Sequence, residues 1–188
     1  MTFVDAVQSG FKNAFNFKGA ASRSEFWYWV LFTLLMSLVL STIESAIWPP
    51  IPSQGDWMAD LDALAAQPTP LTSIAALLLF IPNLSVMARR FHDAGFSAKW
   101  LLLQIVPLAY GIFAGLGAFV VLANSENMEP TYEELVALIF LILPIVALAI
   151  GVLVIFLVMA LRPSRSFYDG NKYVEPVPLS AGDEGITA

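Results

Sequence analysis

Arg23 and Glu25 lie in one short stretch of the chain, and Arg89, Arg90, His92 and Asp93 lie in another. Guanidinium groups hold phosphates and carboxylates bidentately. Arg23, Arg89 and Arg90 therefore suit an anionic headgroup or phosphate. His92 is the one histidine, and beside Asp93 it has the makings of a proton-transfer pair. The plainer chemistry is electrostatic. Arg89 and Asp93 stand i,i+4 and can pair on one helix face, so the cluster can serve as an ion-pair lattice between segments. Glu44, Asn83 and Gln104 stand apart in apolar surroundings. A carboxylate in such a run is a proton or cation site if it faces a bundle, or a hydrated interfacial group if it lies near an end.

Composition decides what can position these groups. Of 188 residues, 58% are hydrophobic and 13% are charged. Soluble domains carry about 25% charged residues, and the mean hydropathy here is +0.74. Too few polar residues remain to cover a water-facing surface. That excludes an ordinary soluble enzyme, a disordered chain and a basic nucleic-acid binder. The absence of cysteine excludes a disulfide scaffold, a thiolate metal site and a Cys nucleophile. A single His leaves no conventional transition-metal ligand set. No Walker loop, H-E-x-x-H, dinucleotide fingerprint or G-x-S-x-G occurs, so no cofactor is expected.

Apolar runs of membrane-spanning length cover residues 26–48, 70–88, 98–123 and 135–161. The expected fold is all-α: a polytopic membrane protein, a bundle of four transmembrane helices. The net charge of −6 divides unevenly along it. Lys12, Lys18 and Arg23 precede the first run. Arg89, Arg90 and Lys99 lie between the second and third, and Arg162, Arg165 and Lys172 follow the fourth. The two remaining loops hold only acids, including Asp56, Asp60 and Asp62 in one and Glu126, Glu129, Glu133 and Glu134 in the other. The positive-inside rule then puts both termini and the middle loop in the cytoplasm. The membrane is expected to be the bacterial inner membrane, and no cleavable signal peptide is expected.

Local signals mark the ends of these spans. Ser22 with Glu25, and Thr131 with Glu134, have capping-box spacing. Thr69 then Pro70 reads as N-cap then N1, Gly95 ends the second helix, and Ser97 caps the third. Trp27, Trp29, Trp48, Trp57 and Trp100 are expected at interfaces or in loops, with the indole N–H wet. Phe3, Val7, Phe11 and Phe15 recur every four residues, which predicts an amphipathic interfacial helix over residues 2–16, weakened by Gly10. A short surface helix is expected around Trp57, Leu61 and Leu64. Residues 1–176 read as one integral membrane domain and 177–188 as a disordered cytoplasmic tail. Pro82, Pro107 and Pro144 fall within spans. Asn83, Ser85 and Gln104 can satisfy the carbonyls they free, or line a cavity. Gly111 and Gly115 give the small-x-x-x-small spacing of close helix packing, within the chain or in a homo-oligomer.

Three segments carry a family resemblance: F-K-G-A-A-S-R-S-E-F-W-Y-W (17–29), I-P-N-L-S-V-M-A-R-R-F-H-D-A-G-F-S-A-K-W (81–100) and G-N-K-Y-V-E-P (170–176). The chain resembles the bacterial inner-membrane family catalogued as domain of unknown function 805, over roughly residues 10–176. The family pattern has S-R-x-E-F-W leading into the first span, R-R-x-H-D-x-G after the second and G-x-N-x-Y-G in the tail. Here Ala20 stands where Arg is frequent, Ala98 and Lys99 replace Gly-Trp, and Val174 replaces the tail Gly. The resemblance implies a small helical membrane protein and no reaction. Function is therefore expected to be non-enzymatic, with the Arg/His/Asp face binding a partner protein or anionic lipid. One alternative is a small transporter or channel-like subunit using Glu44, Asn83 and the Pro-kinked spans. Another is a lipid-headgroup enzyme acting through His92 and Asp93.

Overall fold

In hydrocarbon a backbone must satisfy its own hydrogen bonds, and a single segment does so only as a helix. The computed structural model describes residues 1–50, 52, 55, 57–125 and 131–176, apart from the side chains of residues 57, 58, 61, 62 and 65. Its helices are α1 (Phe3–Lys12), α2 (Arg23–Ile47), α3 (Trp57–Ala66), α4 (Pro70–Asp93), α5 (Ile105–Asn124) and α6 (Tyr132–Leu161). A 3-10 helix, Ala98–Gln104, runs directly into α5, and another, Phe167–Asp169, follows α6. The segments Arg23–Ile47, Pro70–Asp93, Ala98–Asn124 and Tyr132–Leu161 are each long and apolar enough to cross a membrane. The chain is an all-helical membrane protein with four spans. The expectations for Asp56, Glu126, Glu129, the tail 177–188 and the side chains of Trp57, Leu61 and Asp62 lie outside the described residues.

The second apolar span ends at residue 88, but its helix, α4, runs on to Asp93, where Gly95 is expected to end it. It stops in a Schellman turn. The N–H of Gly95 donates to His92 O and that of Phe96 to Phe91 O, with Gly95 left-handed at φ +85°. Pro107 does not break a span. It is the third residue of α5, in the first turn after the 3-10 segment, where a helix tolerates a missing N–H. Pro82 and Pro144 do lie inside their helices.

The caps are partly as expected. Thr131 and Glu134 form a reciprocal box. Ser22 accepts from the Glu25 N–H at 3.2 Å, but the Glu25 carboxylate does not return the bond, because it is engaged elsewhere. Thr69 makes no side-chain cap bond. Ser97 caps the 3-10 helix through the Lys99 N–H.

α1 has its own box, Thr2 with Asp5, and packs on α2 through Ala6 and Gly10. A Cβ at Gly10 would sit 2.2 Å from the Trp29 ring. The residue that weakened the helix in sequence terms is the one that permits the contact. Phe3 packs edge-on to Tyr28, and Phe11 edge-on to Trp29 and Phe32. Phe15 lies beyond the helix and is exposed.

Trp29 corrects the expectation of interfacial tryptophans. It is 2% exposed and sits in the core with Phe26, Leu79, Val86 and Ala160. A second cluster joins Phe91, Phe156 and Met159. Both lie where α2 begins and α4 and α6 end. Towards α5 the burial fades: Ala114 is its one buried residue. Leu108, Phe119, Phe140 and Leu153 are each more than three-fifths exposed, as lipid-facing side chains are.

Candidate polar site at the cationic end

The start of α2, the end of α4 and the segment after α6 converge at one end of the bundle. The Ala21 N–H donates to Arg89 O at 3.0 Å, and the Arg165 N–H to Asp93 O at 2.9 Å. The Ser85 hydroxyl lies 2.6 Å from Asn13 O and 2.9 Å from Asn16 O, holding the α1–α2 connector on α4. All three family-like segments therefore meet here.

The two arginines of α4 point inward. Arg89 Nη1 bonds Glu25 Oε1 at 2.7 Å, and the Ser9 hydroxyl donates to the same oxygen at 2.8 Å. Arg89 Nε and Nη2 are buried and have no partner among the described residues. Arg90 is fully buried and donates to the Asp93 carboxylate, to Arg162 O and, at 2.9 Å, to Ala160 O. Asp93 also accepts from the Ser164 hydroxyl at 2.5 Å. This corrects the expected i,i+4 pair. Arg89 reaches across to α2, and Asp93 takes Arg90, its i,i+3 neighbour. It also removes Arg89 and Arg90 from any exposed headgroup site. Of the three arginines grouped by sequence, only Arg23 is exposed, and it makes no ion pair with a described residue.

His92 and Asp93 do not form a proton-transfer pair. The His92 ring accepts from the Ala98 N–H at Nε2, which assigns the proton to Nδ1, 3.3 Å from Gly19 O. The neutral ring stacks on Tyr173, with centroids 4.4 Å apart. Asn171 is the residue the sequence reading missed. It is 3% exposed, and its amide donates to His92 O at 2.8 Å, Asp93 O at 3.3 Å and Arg165 O at 3.0 Å. It thereby gives His92 O a second donor beside the Gly95 N–H, and Asp93 O a second beside the Arg165 N–H, at the end of α4. Gly170, left-handed at φ +82°, makes the turn that delivers it. The signal was present in the G-N-K-Y segment, but its partner in space was not. Beside it, Ser166 donates to the Asp169 carboxylate from its hydroxyl and its N–H, which holds the Asp169 pKa below its ordinary value.

The other singled-out polar groups do not join this site or one another. Glu44 is 2% exposed at the far end of α2. Its carboxylate accepts from the N–H groups of Leu71 (2.5 Å) and Thr72 (3.0 Å) and from the Thr72 hydroxyl (2.6 Å). It is neither a water-facing group nor a site open to the bundle. It supplies the cap that Thr69 does not, at the positive end of α4. Asn83 accepts from Trp29 Nε1 at 2.7 Å and borders a groove between α2 and α4. Gln104 borders a different groove, between the α2–α4 and α5–α6 pairs. A Cβ at Gly111 or Gly115 meets nothing within 4 Å; the close approach in α5 is at Gly117, against Leu141. Among the described residues no three His, Asp or Glu side chains gather to hold a metal ion.

A family model described as "Protein of unknown function (DUF805)" matches residues 14–173. The chain is 31% identical over 97 residues to the inner membrane protein YhaH of Escherichia coli (strain K12), covering 51% of this chain and 69% of YhaH. It is 27% identical over 96 residues to the inner membrane protein YhaI of the same strain, covering 51% and 67%. No solved structure matches.

Proposed function

Because this chain belongs to the DUF805 family of membrane proteins, we propose that it is a non-enzymatic inner-membrane protein whose cationic end binds anionic lipid on the cytoplasmic leaflet. One observation carries this reading. Arg89 and Arg90 are spent inside the fold, while Lys12, Lys18, Arg23, Lys99, Arg162, Arg165 and Lys172 stay exposed without an ion pair to a described residue. A membrane protein with exposed cations at one end concentrates anionic headgroups there, at about 1 kcal/mol per Lys or Arg near the surface. The same charges orient both termini to the cytoplasm, with residues 1–176 as one integral domain. The separate partners of His92 and Asp93 argue against a proton-transfer enzyme. The capped Glu44 leaves a transport reading without its carboxylate.

Spin-labelled lipids test the proposal in reconstituted protein. Phosphatidylglycerol is expected to associate more strongly than phosphatidylcholine. Changing Lys12, Lys18 and Lys172 to Gln together should weaken that preference. Equal association of both lipids with the unmodified chain would overturn it. Orientation has a separate check: Leu64→Cys should label from the periplasm and Lys18→Cys should not. The open flank of Gly111 and Gly115 fits a homo-oligomer, which cross-linking of Gly111→Cys would trap.

A further inference from the structure

The groove beside Gln104 has about 580 Å³ of space. Its walls are Trp27 and Val30 of α2, Leu108 of α5, and Leu153 and Leu157 of α6, with Met87 of α4 also lining it. It is thus apolar along its length and lies between the two helix pairs at their cationic end. Its polar groups are few. The Gln104 carboxamide and the Trp27 indole N–H have no hydrogen-bond partner among the described residues, and both side chains are exposed. Arg23 precedes Trp27 by four residues, on the same face of α2 and one turn nearer the helix start, exposed and without an ion pair to a described residue.

The shape limits the occupant. A helix with its side chains is about 10–12 Å across, so a single turn would use the whole space. An extended hydrocarbon chain runs along such a slot, but it cannot satisfy the donors at one end. An ester-linked phospholipid does both. Its acyl chain lies along Val30, Leu108, Leu153 and Leu157, its ester carbonyls accept from Gln104 and Trp27, and its phosphate meets Arg23. The surroundings select the charge. Lys99 and Arg162 are also exposed at this end without an ion pair to a described residue, so a zwitterionic headgroup would bring a cation among cations.

We propose that this groove is a seat for one anionic phospholipid, with its acyl chain between α2, α5 and α6 and its phosphate on Arg23. The proposal rests on the anionic-lipid reading above and gives it a place. The test is native mass spectrometry of the full chain, released from nanodiscs holding equal amounts of phosphatidylglycerol and phosphatidylethanolamine. One phosphatidylglycerol should be retained per chain. Arg23→Gln should reduce its preference over phosphatidylethanolamine about fivefold. Leu153→Trp and, separately, Leu108→Trp fill the slot from exposed positions. Each should abolish retention of either lipid. Retention unchanged in both tryptophan variants would overturn the groove, while a surviving phosphatidylglycerol preference would leave the wider reading intact. No preference in the unmodified chain would overturn both. Loss of both lipids from the tryptophan variants, with no effect of Arg23→Gln, would overturn the phosphate contact.

Discussion

The α2–α4 and α5–α6 pairs are built from the same apolar stock but held in opposite ways. α2 and α4 are clamped by polar contacts at three levels: Glu25 on Arg89, Trp29 on Asn83, and Glu44 on the first turn of α4. Between α5 and α6 the comparable contacts are Tyr110 on Leu141 O at 3.1 Å and, at the far end, Ser125 on Glu134 at 3.1 Å. The rest of that pairing is side-chain fit, such as Gly117 under Leu141. In lipid there is no hydrophobic force to bring helices together, so packing and hydrogen bonds must do it. The first pair therefore has a fixed register, set by charges and caps at both ends of one helix. The second is held by shape.

The clamped pair is most vulnerable at Arg90, which holds the end of α4 to the end of α6. Arg90→Leu leaves Asp93 buried without its cation, and losing one partner of a buried pair costs about 3–5 kcal/mol. Detergent-purified protein should then lose its cooperative thermal transition, while Arg90→Leu with Asp93→Leu recovers part of it. A single variant that melts like the parent would show that the cationic end does not hold the fold. Next comes Glu44→Ala, which strips the start of α4 of its acceptor, at about 2–3 kcal/mol. Glu44→Gln should recover much of this, measured as melting temperature. Gly10→Ala drives a methyl into the Trp29 ring, at about 1–3 kcal/mol. Trp fluorescence should shift as α1 lifts from α2. The smallest effect belongs to the other pair: Tyr110→Phe removes one interhelical bond, worth about 0.6 kcal/mol. If its loss matched that of Glu44→Ala, the two pairs would not differ as described.

The spans were legible because hydrocarbon demands long apolar runs, and the confinement of cations to alternate segments showed which segments share a face. The members of the polar cluster were legible too, since Arg, His and Asp are rare in such a chain. Their pairing was not. Spacing along one helix favoured Arg89 with Asp93, whereas the structure joins Arg89 to a carboxylate 64 residues away. Glu44 was misread for the same reason. Its partners are two backbone N–H groups and the Thr72 hydroxyl of another helix, which spacing along the chain does not point to. Trp29 was placed by a statistical habit of tryptophan, and tertiary packing around Gly10 overrode it.

Asn171 closes the end of α4 from 79 residues further along the chain. During synthesis at about 5–20 residues per second, that amide follows His92 by about 4–16 seconds. For most of that interval Ser164 and Arg165 are missing from around Asp93 as well. The segment after α6 is thus a latch that only a chain extended as far as Asn171 can throw. A quality-control protease that reads loose membrane-helix ends would meet an unlatched α4 in every chain cut short before Asn171, and a latched one in every chain that reached it.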